Sequence, residues 1–341
     1  MSVIANKSRP YSYSSIQTYA ACPTRYFFKY VACLSPLQES EHDLRYGKAW
    51  DCALNTHYQG GSVTEAQQAF VASYPASEYP AQLPFWSPGK SLANGLQAIP
   101  AYVEKWREDD SQWEVLAVQD RDTNEDGDRV VVLDLVVRDR RDGLVYGVDN
   151  KSTGKYLDAK YASQFDPHSQ VRSYVARLQE LHGEVAGFYI NAASFRHRSK
   201  AYTPRSGPDK GVQLPAGDWF DFKRWLFNPN AEAVSAERSS FANWVAKIEL
   251  DKKQGSWSYN TDQCVRGEMV CPYHRLCSAG YSYPKDAMLV EQYYVRRCLE
   301  LVDGERCWLE PEHEGGCDST RPKQPDYEVD LSDDTIEDAE A

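Results

Sequence analysis

Residues 130–154 read VVVLDLVVRDRRDGLVYGVDNKSTG. The first eight, Val130 to Val137, form an apolar, mostly β-branched run broken by a single acid, Asp134. Such a run predicts a strand buried on both faces. The connection RDRRDG ends in Asp142-Gly143, a turn signal, and LVYGVD, Leu144 to Asp149, is the returning strand. A lone carboxylate in the middle of an apolar strand is costly to bury as a charge, so Asp134 needs a reason to be there. Fifteen residues further on, Asp149 ends the second strand and is followed at once by Asn150-Lys151. With the two strands paired through the turn, both acids and the lysine converge at one sheet edge. Residues 149 and 151 of a strand point to the same face.

Working outward, WEVLAV (Trp113 to Val118) and VAGFYINA (Val185 to Ala192) are further strand candidates. Between them, Val171, Tyr174, Val175, Leu178 and Leu181 recur at the spacing of an amphipathic helix from Ser169 to Leu181. A helix is predicted from about Arg45 to Tyr58, and another opens SYSSIQTYAACPTRYFFKYV (residues 12–31), capped by Ser12 or Ser14 and followed by an aromatic-rich turn after Pro23. The core order is helix, three strands, helix, strand: an α/β fold with a mixed sheet flanked by helices. Residues 215–250 and the stretch from the last clustered cysteine to about Leu301 are expected to add helical segments. Gly89-Lys90-Ser91 invites a phosphate-loop reading, but the first glycine of that pattern falls on Pro84 and no apolar strand feeds it.

Two acids and a lysine at one edge suit metal-assisted phosphodiester hydrolysis. Carboxylate oxygens hold Mg²⁺ or Mn²⁺, and the lysine orients the attacking water or steadies charge on the phosphate. The net charge of -12 speaks against a nucleic-acid partner only at first sight. Eight of the acidic residues sit in the last sixteen, DYEVDLSDDTIEDAEA, so the remaining body is mildly acidic and has room for a local basic groove. Arg196, Arg198, Lys200 and Arg205 around Tyr202, with Lys155, Lys160 and Arg172, are candidates to line such a groove for DNA phosphates. The acidic tail is expected to be disordered, and it offers a surface for a protein partner. Neither a membrane-spanning run nor a signal-peptide layout is legible, which makes a cytoplasmic location the expectation.

Nine cysteines include a cluster, Cys264, Cys271 and Cys277, within CVRGEMVCPYHRLC. Clustered thiols in a reducing compartment more often hold a metal than a disulfide.

The stretch 130–154 resembles motifs II and III of the PD-(D/E)XK nuclease superfamily, especially its RecB-like exonuclease branch. SQVRSYVARLQELHG is similar to that branch's helical Q-x-x-x-Y motif, with Gln170 and Tyr174 one turn apart. SYSSIQTYAACPTRYFFKYV is similar to its N-terminal signature, so the likeness runs in order from about residue 12 to 280. It implies a restriction-endonuclease-like core over residues 1–285, closed by the cysteine cluster. A helical or irregular extension over 286–325 and the tail, 326–341, would follow. It further implies a metal-dependent deoxyribonuclease, an exonuclease acting on duplex ends or single strands in recombination, repair or phage and CRISPR DNA processing. Catalysis would fall to Asp134, Asp149, Lys151 and Gln170, metal binding to Asp51, Asp134, Asp149 and Asn150, and DNA contact to Tyr174, Arg172, Arg196 and Arg198. The branch usually carries a His four residues after a Gly in its first core helix; here Asp51 follows Gly47, and His57 is the other candidate. The usual acid of the first strand corresponds to Gln119. The branch also joins three such cysteines to one near the N-terminus around a [4Fe–4S] cluster, which would be Cys22 with Cys264, Cys271 and Cys277. Zinc is the alternative, with His274 as a further ligand. A structure-specific endonuclease, or a non-catalytic DNA- or partner-binding subunit on the same fold, are the other readings.

Overall fold

The computed structural model describes residues 10–36, 42–74, 88–123, 129–166, 169–203, 210–266, 269–280, 290, 294–296, 301–302 and 305–306. The chain divides into two compact units, one of residues 1–20 and 40–255, the other of 21–39 and 256–341. The acidic stretch 326–341 lies outside the described residues.

The first unit is built on a five-stranded sheet. Its strands are β1 (Trp113–Thr123), β2 (Val130–Asp139), β3 (Val145–Thr153), β4 (Val185–Arg198) and β5 (Gly217–Phe227), in that spatial order. All neighbours are antiparallel except β3 and β4. The helices are α1 (Tyr13–Ala21), α2 (His42–Tyr58), α3 (Val63–Ser73), α4 (Leu92–Ser111), α5 (Ala159–Ser163), α6 (Ser169–His182) and α7 (Ala231–Gln254). The β2–β3 turn closes as its residues dictate: Gly143 takes φ 75°, and Leu144 N–H donates to Asp142 Oδ1 at 2.9 Å. The parallel β3–β4 pair needs a crossover, and α6 supplies it.

The sheet separates two cores. On the α6 side, Val171, Val175 and Leu178 pack on Leu133, Phe188 and Ile190. On the other side, Trp50 and Tyr46 of α2 meet Phe70, Tyr102, Phe195 and Phe222. Lys90 is spent on structure, buried against Asp43 with 3.3 Å between Nζ and Oδ1, and Ser91 caps α4.

Two expectations change. Residues 217–227 form an edge strand, not part of a helix that begins at 215. WFDFKRWLF presents aromatic residues to both cores, Phe222 to one and Trp225 and Phe227 to the other, and it pairs with β4 along its whole length. The strands also run further than the apolar runs show, so Asp149 lies inside β3 and β3 continues through Lys151. The helix beginning at residue 13 ends at Cys22-Pro23, in keeping with the turn expected after Pro23, where proline lacks the N–H that would continue it.

The second unit begins beyond that break, with a helical turn Pro23–Tyr26 and a π-helical stretch Phe27–Val31. Leu34–Pro36 pairs antiparallel with Tyr294–Arg296, and Val265–Arg266 pairs with Met269–Val270. The strand at 294–296 falls inside a stretch expected to be mostly helical; Tyr294 earns that place by stacking on Tyr273 in a core with Phe28, Leu34 and Leu276.

Behind the sheet lies a buried polar network. Arg224 of β5 binds Asp110 of α4 at 2.5 Å, donates to Asn191 Oδ1 at 3.2 Å and to Tyr58 and Tyr102 hydroxyls at 2.8 and 2.9 Å. Its guanidinium also sits over Trp106 and Trp113. Both charges are nearly covered, with side chains 6% and 13% exposed. Replacing one partner strands the other, so Arg224→Leu is expected to destabilise the protein by about 3–5 kcal/mol in urea unfolding. A loss below about 1 kcal/mol would mean that the pair is solvated like a surface bridge.

Candidate active site

Asp134 and Asp149 arrive on adjacent strands. The β2–β3 ladder ends with Leu135 against Val148, and Asp134 and Asp149 are the next residue on each strand, close enough for their charges to interact. Asn150 N–H donates to Asp134 Oδ2 at 2.8 Å. From β1, whose register sets Gln119 opposite Asp134, Gln119 Nε2 donates to Oδ1 at 3.3 Å. Gln119 has φ 52°, a left-handed conformation that costs a side-chain-bearing residue about 1–2 kcal/mol. The alternation of β2 breaks at the same level, since Leu133 packs into the α6-side core and Leu135 into a cluster with Trp113 and Val148. Local irregularity of this kind re-aims a side chain, and Asp134 is left half-buried instead of entering either core.

Asp149 is almost fully buried. Gln170 of α6 donates to its Oδ1 at 3.3 Å, and the same amide lies 3.1 Å from the Tyr174 hydroxyl. Lys151 Nζ stands 2.5 Å from Asp149 Oδ2 as an ion pair. That oxygen has no hydrogen bond of good geometry among the described residues, and neither does Asn150 Nδ2. Asn150 turns its side chain the other way, where Asn191 donates to its Oδ1 at 2.7 Å. Asn191 is one end of the Arg224 network, so the residue between Asp149 and Lys151 is held from behind the sheet.

Asp51 of α2 joins the group electrostatically. Burial, then the charge of Asp134, push its carboxyl well above the usual range, with Lys151 pulling the other way. Asp134 is pushed up to about 7, first by burial and then by the charge of Asp149. Lys151 loses by burial but gains more from Asp149 and Asp134, and it stays charged. His57 goes elsewhere: burial lowers its pKa, and the charges that act on it are those of Asp110 and Arg224.

Among the described residues, no three His, Cys, Asp or Glu side chains stand at metal-holding spacing. At Asp149, the ammonium of Lys151 takes the place beside the carboxylate that a cation would take.

In the second unit, Cys22, Cys264, Cys271 and Cys277 line one pocket together with Arg25 and Tyr273. The hairpin at 265–270 holds the first pair of the cluster together, with Cys271 N–H donating to Cys264 O at 2.7 Å. Cys277 comes from the short helix His274–Ser278. Burial, then Cys271, Cys22 and Cys264, push its thiol up to about 12. His274 is not among the lining residues; its ring lies 3.4 Å from the Ser278 hydroxyl.

Of the basic candidates, Arg172 lies near Glu237 of α7, whereas Arg196 and Arg198 stand at the end of β4. Arg205 lies outside the described residues. Sequence reading missed Asn191, Arg224 and Asp110, which are far apart in the chain and carry no motif.

A mixed sheet with acids facing each other on its second and third strands, a lysine two residues on and a glutamine from the crossover helix defines a restriction-endonuclease-like core. The family model of the PD-(D/E)XK nuclease superfamily matches residues 10–278, and the chain belongs to that superfamily. Among solved structures, a candidate exonuclease from Eubacterium rectale is similar, at 14% identity and a TM-score of 0.46, over 85% of this chain and 95% of that one. No curated protein matches.

Asp134→Asn removes one of two facing charges and keeps an acceptor for Asn150 N–H. In metal-free buffer at about pH 8 it is expected to raise the thermal midpoint by a few degrees. A carboxyl raised to about 7 binds its proton more tightly folded than unfolded. Its unfavourable effect therefore grows as pH rises towards 7 and is absent near the ordinary carboxylate pKa, about 4. The gain should disappear at about pH 4–5; a variant less stable than wild type at pH 8 would show that the ionised carboxylate stabilises the fold.

Proposed function

We propose that the chain is a Mg²⁺- or Mn²⁺-dependent deoxyribonuclease, an exonuclease acting on DNA ends or single strands. The observation that carries this is Asp134 facing Asp149 across β2 and β3, with Lys151 on the same carboxylate. Asp51, Asp134 and Asp149 are the metal donors in this reading; the expected Asn150 drops out, because its side-chain oxygen accepts from Asn191 on the other face of the strand. The three carboxylates form an oxygen set suited to a hard divalent ion, and the unbonded Asp149 Oδ2 fits it. Bound there, the ion supplies Lewis acidity to the phosphate and an activated water. Gln170 holds Asp149 in place and is itself held by Tyr174. Lys151, charged at neutral pH, turns its ammonium from Asp149 to the phosphate oxygens and steadies the charge that develops there. Arg172, Arg196 and Arg198 grip the DNA backbone, the acidic residues 326–341 offer a docking segment to a protein partner, and recombination, repair or phage and CRISPR DNA processing are the settings this chemistry serves.

Asp149→Ala and Lys151→Ala should each lower metal-dependent cleavage of linear DNA by at least about 100-fold while leaving the circular dichroism spectrum unchanged. Wild-type rates in either variant would refute the assignment. Cleavage of covalently closed circles as fast as linear DNA would favour a structure-specific endonuclease, and a wild-type protein that binds DNA but never cuts it, a non-catalytic subunit.

The second part of the proposal is a [4Fe–4S] cluster on Cys22, Cys264, Cys271 and Cys277. Its support is that all four thiols line one pocket and no histidine does. Four thiolates suit a cubane cluster, and thiolate ligation removes the protons that burial now holds on Cys271 and Cys277. Protein purified without oxygen should be brown and contain iron and sulfide, and Cys22→Ser should lose both. Colourless protein carrying one zinc per chain would decide for zinc.

A further inference from the structure

A pocket opens at the C-terminal ends of β3 and β4, lined by Gly89, Gly154, Tyr156, Arg196, Arg198 and Trp219 among others. At its centre the guanidinium of Arg196 is wedged between two aromatic rings, its Cζ 3.2 Å from the centroid of Tyr156 and 3.4 Å from that of Trp219. Trp219 is set there by register, since β5 pairs it directly with Arg196. Arg198 lies 5.2 Å from the same indole. Gly89 presses on the backbone of Arg196, where a Cβ would come within 2.3 Å of three main-chain atoms, so the cradle admits no side chain there.

The cation in this wedge is only partly offset: Asp221 and the Tyr156 hydroxyl act on it, but two of its nitrogens stay unpartnered. Arg196 Nε and Nη1 are buried and meet no hydrogen-bond acceptor among the described residues. The nearby acids are engaged: Asp218 binds His197 Nδ1 at 2.6 Å and Ser91 Oγ at 2.9 Å, and Asp221 lies 3.6 Å from Lys105. Burial pushes the Arg196 guanidinium down to about 10, with Tyr156 and Asp221 pulling the other way. A guanidinium used only as packing would have its N–H groups satisfied. Tyr156, meanwhile, is 62% exposed, so part of its ring is open to a further planar group.

We propose that this pocket is a second nucleic-acid subsite that takes one nucleotide of a single strand, its phosphate on Arg196 and Arg198 and its base on Tyr156. The inference rests on the nuclease reading above and adds where the strand is held. Asp149 pairs with Ile190, and Arg196 stands six residues further along β4, ~20 Å at the rise of a strand. That distance is about six nucleotides at the rise of a duplex strand, and fewer if the strand is extended. Base stacking on an aromatic ring beside a phosphate-binding cation is how single strands are gripped without sequence preference.

The test uses full-length protein in EDTA, so that binding is read without cleavage. Fluorescein-labelled (dT)12 should bind Arg196→Ala about tenfold more weakly than wild type, and the slope of log K against log salt should fall by about 0.7 for the lost phosphate contact. Arg196→Lys should restore the slope but not the affinity. Wild-type affinity and slope in Arg196→Ala would overturn the subsite. Should that variant not fold, wild-type protein decides: an oligonucleotide carrying 5-iodouracil should crosslink to the peptide holding Tyr156, and crosslinks confined to other peptides would refute the inference. The outcome is independent of catalysis. Protein that crosslinks at Tyr156 but never cleaves DNA keeps the subsite and loses the nuclease reading.

Discussion

Asp134 and Asp149 face each other across paired strands, and two carboxylates so placed in a recess repel unless a cation or a proton intervenes. Here Lys151 stands on Asp149, while Asp134 is disposed to keep a proton near neutral pH. Much of the local structure follows from that constraint. Asn150 N–H and the Gln119 amide both donate to Asp134, and Gln170 donates to Asp149. Each donor offsets part of the negative charge without adding a positive one. They come from two strands and the crossover helix, so the carboxylate pair is only as well placed as the sheet beneath it.

That sheet is fixed from behind by groups that never face the carboxylates. Asn191 of β4 bridges Asn150 to Tyr102, and Arg224 of β5 ties Asn191 to Asp110 of α4. The alternation of a strand makes this possible: Asp149 and Lys151 point to one face, and Asn150 between them reaches the network on the other. A shift of β4 against β3 by one residue would break the Asn150–Asn191 bond and turn the carboxylate away at once. The register of the parallel pair is therefore specified twice, by the apolar core on the α6 side and by hydrogen bonds on the other.

The central strands and the α6 crossover were legible because their signals are local. An apolar β-branched run, an Asp-Gly turn and a helical repeat each declare themselves within a few residues. Asp134, Asp149, Lys151 and Gln170 could be read as a group for the same reason, as they punctuate those elements at fixed positions. Residues 217–227 could not, since aromatic residues on both faces of an edge strand give neither clean period, and only the pairing with β4 decides. The Arg224 network was equally silent: Asp110, Asn191 and Arg224 are ordinary polar residues until the fold makes them neighbours. Gln119 was visible as a departure from the acid usual in such sites, but its left-handed backbone belongs to the strand irregularity opposite Asp134 and has no mark in composition.

The costs concentrated at this edge share a direction. A left-handed glutamine, a carboxylate oxygen with no hydrogen bond of good geometry, two acids close together in a recess and a break in strand alternation all destabilise the metal-free fold. The divalent cation proposed for this site would relieve each of them: the orphaned oxygen would gain a partner, the repulsion would be neutralised and Lys151 would be freed for the phosphate. A site made only for stability would replace one acid with an amide and regularise the strand, and nothing in the surrounding core forbids either change. The two cores, packed with Trp50, Tyr46, Phe188 and Phe195 at almost no exposure, supply the surplus that lets the edge stay strained. Stability drawn from the apolar cores and held back at the carboxylates is the pattern expected when the carboxylates are there for chemistry.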